Sequence, residues 1–138
     1  MKPKVYVVDN NATMREFLYN YFEREYDIKT FESGIETLYS IYNKEKPQLI
    51  IMEHELPGVS GLKVLKNLKA SEFYKDIPVL FVSRSQSSSV RVECLKAGAE
   101  DFLIKPFNPS ELRVKISKII NTTTLLTHEK PRPAVNIN

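Results

Sequence analysis

Leu49-Ile50-Ile51-Met52-Glu53-His54-Glu55-Leu56-Pro57-Gly58 passes without a break from four apolar residues into a cluster of ionisable ones and then into a Pro-Gly turn. An apolar run this short, bounded by turn residues, reads as a strand. Its continuity matters as much as its length. A strand exposed on one face alternates apolar with polar, whereas a strand covered on both faces of a parallel sheet is apolar throughout. The acids that follow at once therefore sit at the carboxyl end of a buried strand.

Working outward, four further short apolar or β-branched runs read as strands, Val5 to Val8, Ile28 to Phe31, Pro78 to Val82 and Phe102 to Ile104, of which the first and third are likewise continuously apolar. Helical patterns fill the gaps. Met14, Phe17, Leu18, Tyr21 and Phe22 recur at helical spacing and are predicted to share an inward face. Ser33 and Glu36 have capping-box spacing ahead of a helix whose inward residues are predicted to be Ile35, Leu38 and Tyr42. Ser60 caps a helix through Leu62, Leu65 and Leu68. A serine-rich turn opens another through Val90, Cys94 and Leu95, which Gly98 stops in the left-handed region. Asn108, Pro109 and Glu111 mark the start of the last, with Leu112, Ile116, Ile119 and Ile120 inward. Strict alternation of strand and helix implies right-handed crossovers and an open parallel α/β sheet, (βα)5, with helices on both sides. A (β/α)8 barrel would need far more chain.

The 138 residues, 42% hydrophobic, match one compact domain, taken as 1–121. Residues 122–138, with Pro131 and Pro133, read as a linker or disordered tail. The single cysteine, Cys94, reads as a small buried hydrophobe in a reducing, cytoplasmic protein. Val5 to Val8 is too short for a signal sequence or membrane span. A net charge of +3, with lysines scattered over several segments, does not make a nucleic-acid surface. No direct contact with nucleic acid or membrane is expected.

In an open α/β sheet ligands bind beyond the carboxyl ends of the strands. There the chain places Asp9-Asn10, Glu53-His54-Glu55, Ser83-Arg84 and Lys105-Pro106. The order V-V-D-N-N-A-T-M-R-E, L-I-I-M-E-H-E-L-P-G-V-S-G-L, P-V-L-F-V-S-R and A-G-A-E-D-F-L-I-K-P-F resembles the response-regulator receiver domain family, CheY-like, over about residues 1–121. The resemblance implies a flavodoxin-like sheet of strand order 2-1-3-4-5 and a role in two-component signal transduction or phosphorelay. It implies an acidic pair that holds Mg²⁺ at Asp9 and Asn10, a backbone metal contact at Glu55, and the phosphoacceptor at Glu53. It further implies phosphoryl contacts from Ser83 and Lys105, a cis Lys105-Pro106 bond, and a switch aromatic at Phe102 that lacks a hydroxyl.

Two departures from the family bear on chemistry. Asn10 removes a charge from the metal set, where Mg²⁺ wants tightly spaced oxygens. Glu53 replaces aspartate and moves the carboxylate outward by about 1.5 Å, toward the seat of a transferred phosphoryl group. Thus Mg²⁺ is expected to bind weakly if at all, and Glu53 to imitate part of a phosphorylated aspartate by reaching Ser83 and Lys105. The expected function is that of a pseudo-receiver. It is not an enzyme, and it acts by phosphorylation-independent contact with a protein partner or attached output domain. The alternative is a phosphoryl-accepting, Mg²⁺-dependent receiver with a relaxed site, using Glu53 or Asp9 as nucleophile. A flavin carrier of similar topology would need a glycine- and hydroxyl-rich loop where Asn10-Asn11-Ala12-Thr13 stands.

Plainer readings exist for several residues. Asp9 could simply cap the helix beginning near Ala12, and Lys105 could be a surface lysine. His54, between two glutamates, lacks the further histidine or cysteine of a zinc site and is expected to be an exposed loop residue. Ser85 and Ser87 to Ser89 are helix-start residues, and Gly58 and Gly61 relax the loop and helix start that follow the third strand. Arg91, Glu100, Asp101, Glu111 and Lys115 fall on the fourth helix, fifth strand and fifth helix, a face many receivers use to dimerise. Their mixed signs allow a homodimer there.

Overall fold

The computed structural model describes residues 1–129. One compact unit, Met1–Phe107, alternates β1 (Lys4–Val8), α1 (Ala12–Phe22), β2 (Asp27–Phe31), α2 (Gly34–Asn43), β3 (Leu49–Met52), α3 (Gly61–Lys69), β4 (Val79–Ser83), α4 (Ser88–Lys96) and β5 (Asp101–Ile104). A second unit, beginning at Asn108, carries α5 (Pro109–Glu129). The five strands form one parallel sheet of order β2-β1-β3-β4-β5, as the alternation and the resemblance imply.

Both faces of the central strands are buried, which explains their unbroken apolar runs. On one face Tyr6, Val8, Ile50, Met52, Val79, Phe81 and Phe102 join Ile41 of α2, Val64, Leu65 and Leu68 of α3 and Cys94 of α4 in a single core. The alternate residues, among them Val5, Val7, Ile51, Leu80 and Val82, bury the opposite face, and α1 lies against β1 and β2 with Leu18 and Phe22 buried. Burial pushes the Cys94 thiol up to about 11, so it stays protonated and packs as a small hydrophobe.

Register fixes the position of the polar groups. Phe31, Val8, Met52 and Phe81 pair in succession, and Phe81 pairs in turn with Phe102. Asp9 and Glu53, each one residue past this row, therefore emerge side by side. Ser83 pairs with Ile104, so Lys105 follows beside it.

The capping expectations hold. Ser33 accepts from the Glu36 backbone N–H, Ser60 from that of Lys63, and Asn108 from those of Ser110 and Glu111. The Glu36 carboxylate reaches back to the Glu32 N–H instead of to that of Ser33 itself. Gly58 and Gly98 both take positive φ.

The predicted inward faces of α1, α2 and α4 are larger than the faces the structure buries. α2 buries Gly34, Thr37, Ser40 and Ile41, while Ile35 and Tyr42 point to solvent. The cause lies in close packing: a Cβ on Gly34 would come within 2.7 Å of the Val64 side chain, and the Ser40 hydroxyl pairs at 2.9 Å with that of fully buried Tyr6. Small and polar residues thus win the inner face. Phe17 is exposed too, stacking on Tyr21 and meeting Phe107 edge-on, and Leu95 of α4 is exposed. In α5, Leu112, Ile116 and Ile120 are buried as expected, while Ile119 is half-buried. The helix continues to Glu129, however, so that residues 122–129 of the expected tail are helical. No proline interrupts that stretch before Pro131, and threonine is tolerated in helices. Residues 130–138 of the tail lie outside the described residues.

The start of α3 is tied directly to the strand-end cluster. A Cβ on Gly61 would lie 2.6 Å from the Glu53 carbonyl oxygen, 2.7 Å from the Phe81 ring and 2.9 Å from the His54 Cα. Backbone cannot yield as a flexible side chain does. Gly61→Ala is therefore expected to lower unfolding free energy by about 1–3 kcal/mol in urea titrations, an overpacking cost that Ala at exposed Asn67 would not reproduce.

Candidate functional site

The ends of β1, β3, β4 and β5 each deliver one group to a common point. Directly after β1 stands Asp9, whose N–H bonds to the Phe31 carbonyl at 3.0 Å and whose Oδ1 accepts from the Asn11 N–H at 2.9 Å. Asn11, not Asp9, caps α1, accepting from the Met14 N–H. Asp9 is thereby left to face the pocket, and Arg15 braces it by donating to its carbonyl at 2.7 Å. Directly after β3 stands Glu53, anchored through its N–H to the Val8 carbonyl at 2.9 Å. β4 ends in Ser83, whose carbonyl accepts from the Lys105 N–H at 2.8 Å.

Lys105 joins these ends. Its ammonium lies 2.7 Å from Asp9 Oδ2 and 3.0 Å from Glu53 Oε1. The Glu53 and Asp9 side chains are 0% and 4% exposed, and that of Lys105 is 16% exposed. The Lys105-Pro106 bond is cis, as the resemblance implies.

Glu53 is fully engaged. Oε2 accepts from the Ser83 hydroxyl and from the Glu55 N–H at 2.8 Å, while Oε1 accepts from Lys105 and from the Arg84 N–H at 3.2 Å. Burial alone would raise this carboxyl. The hydrogen bonds from Ser83 and the Glu55 backbone, with the Lys105 ammonium, outweigh burial and hold it below the ordinary glutamate range. Glu53 is accordingly an anion at neutral pH.

The structure thus brings together Asp9, Glu53, Ser83 and Lys105. Asn10 is exposed beside them. Phe102 is buried one layer below, its ring 5.6 Å from that of Phe81. Glu55, where the resemblance implies a backbone metal contact, has an exposed side chain that is ion-paired, with Oε1 2.7 Å from Nε of Arg84. This contact spans the β3–α3 and β4–α4 loops above Glu53. Its signal was present in the sequence as an acid two residues after Glu53 and a base directly after Ser83, on neighbouring parallel strands. His54 is half-buried and edge-on to Phe81, its Nδ1 buried without a hydrogen-bond partner, and so it is not the exposed loop histidine expected.

Mg²⁺ needs several free oxygens in octahedral array. Both Asp9 oxygens and both Glu53 oxygens already accept hydrogen bonds, and an ammonium lies between the two carboxylates where a bridging cation would go. Among the described residues no group of three or more His, Cys, Asp and Glu side chains is placed to hold a metal. As arranged, this donor set does not fit Mg²⁺.

Two outcomes follow from the geometry. Lys105→Met strands two buried carboxylates and is expected to cost about 3–5 kcal/mol of unfolding free energy, measured in urea. For Glu53, whose carboxyl is depressed in the folded state, the associated stability is present above the unfolded value and lost as pH falls through the folded one. Melting temperature is therefore expected to drop on acidification below about pH 4. Glu53→Gln should flatten part of that decline.

A sequence profile of the response regulator receiver domain matches residues 5–117. A CheY homolog from Campylobacter jejuni is 29% identical, the match covering 86% of this chain and 93% of that protein. The phosphate regulon transcriptional regulatory protein PhoB of Escherichia coli is also 29% identical, over 94% of this chain but 57% of PhoB. The receiver domain of the Francisella response regulator 1452 superposes with a TM-score of 0.80 at 29% identity, over 88% of this chain and 99% of that one. Among the described residues no helix is long and apolar enough to cross a membrane. With its strand order, strand-end cluster and profile match in agreement, the chain belongs to the response regulator receiver domain family of two-component signalling.

Proposed function

We propose that this receiver acts as a pseudo-receiver: it works in the cytoplasm by contact with a protein partner or an attached output domain, without catalysis and without accepting a phosphoryl group at Glu53. The reading assigns Glu53 to the phosphoacceptor position. The observation that carries it is the set of donors on the Glu53 carboxylate. In the family the residues matching Ser83 and Lys105 contact a transferred phosphoryl group; here both contact Glu53 itself. The added methylene sets the carboxylate about 1.5 Å farther out than an aspartate would reach. It supplies one negative charge where a phosphate carries nearly two, so the imitation is partial.

Phosphoryl transfer would require Glu53 to release these donors and to meet the donor phosphorus in line, with tolerance for little displacement. The Lys105 ammonium supplies the positive charge that a metal would otherwise bring to the two carboxylates. On this reading the domain rests in one signalling state set by its own sequence. Its relatives' names cover chemotaxis and regulation of a phosphate regulon; the output of this chain depends on the partner it meets.

The test is incubation with acetyl phosphate and Mg²⁺, followed by intact mass and peptide mapping. Wild-type protein is expected to gain no phosphoryl group, and Glu53→Asp, with room restored, to gain one at residue 53. Acid-stable or acid-labile phosphoryl mass on wild-type Glu53 would establish instead a relaxed, phosphoryl-accepting receiver.

A further inference from the structure

α2 presents an unusual outer face. Ile35, Tyr39 and Tyr42, spaced one helical turn apart, are 61%, 60% and 44% exposed. The stripe continues past the helix end, where the Tyr42 and Tyr74 rings lie 5.1 Å apart and Tyr74 meets Phe73 at 4.9 Å. Phe73 is itself 68% exposed. Contiguous aromatic surface of this kind is uncommon on a monomer and marks a contact site.

Charge is distributed unevenly along the stripe. Glu32 and Glu36 are exposed at the amino end of α2 and Lys44 and Lys46 at the carboxyl end, where Lys75 is paired with Glu72 and Glu45 with Lys4. Lys46 is held over the Phe73 ring at 4.6 Å and donates to the Phe73 carbonyl at 2.9 Å, which fixes its position. A surface acidic at one end, aromatic in the middle and basic at the other is complementary to itself when turned through half a revolution. A two-fold axis near Tyr39 would bring the glutamate end of each copy against the lysine end of the other, with the apolar stripes meeting between them.

We propose that the exposed face of α2 is a homodimer interface, in which two copies pack their α2 helices antiparallel about Tyr39. The proposal is independent of the chemistry at Glu53. It covers the large residues of α2 that close packing of the small ones on the sheet turns outward. The end charges give orientation, since a parallel pairing would set like charges together.

The experiment is sedimentation equilibrium on the full chain across a concentration series to about 1 mM, a weak-dimer range. Wild type is expected to shift from monomer to dimer. Tyr39→Glu should weaken association at least about tenfold while leaving the melting temperature unchanged, because the side chain is exposed. Reversal of the acidic end (Glu32→Lys with Glu36→Lys) and of the basic end (Lys44→Glu with Lys46→Glu) should each prevent self-association. An equimolar mixture of the two reversed proteins should restore a dimer. A wild type monomeric throughout, association indifferent to Tyr39→Glu, or reversed proteins that fail to pair with each other would overturn the proposal.

Discussion

One ammonium group holds two buried carboxylates apart and together: Lys105, between Asp9 and Glu53. Removing the acids from water is costly, and their mutual repulsion adds to the cost. Both are offset because the sheet delivers a lysine to the gap and backbone N–H groups to the remaining oxygens. The order β2-β1-β3-β4-β5 makes this arrangement achievable. It sets β1 beside β3, so that Asp9 and Glu53 are neighbours, and it brings Lys105 from β5 across Ser83 on β4. The same geometry links chemistry to packing, for the Glu53 carbonyl lies against Gly61 at the start of α3.

In a receiver this point is where a signal enters. Here the donors that would greet an incoming phosphoryl group are already satisfied by a side chain of the protein, and the proposed consequence is a domain whose state is written into its sequence. The Arg84–Glu55 pair above the pocket adds to this closure. It is exposed, and surface ion pairs contribute little stability, so its value lies in joining the β3–α3 and β4–α4 loops. Those loops border the acidic cluster and would be among the first segments to feel any change at Glu53.

The sheet and its strand-end residues were legible in the sequence for a physical reason. Strands buried on both faces must be apolar throughout, so the point where Val8 gives way to Asp9, or Met52 to Glu53, announces the strand's end. Side-chain rotation about helices was less legible. Periodicity alone favoured Ile35 and Tyr42 as the buried face of α2, but close approach to Val64 selects Gly34, and the buried Tyr6 hydroxyl selects Ser40 as its partner. Neither constraint belongs to the helix's own sequence. Likewise Phe17 finds Phe107 and Tyr21 at the surface instead of the core, and nothing in the Thr122-Thr123-Thr124 run ends α5 at residue 121. The outward aromatics of α2 became visible as a surface only once the inner face was known.

The account rests on Lys105 staying with Glu53 and Asp9 when a competing cation is offered. Nitrogen-detected NMR of the lysine side-chain ammonium groups, with Lys105 assigned by substitution, follows this directly during a Mg²⁺ titration. A Lys105 ammonium signal protected from solvent exchange and unmoved by millimolar Mg²⁺ is the predicted result. A saturable shift or loss of that signal, with Mg²⁺ taking its place beside Asp9, would contradict it.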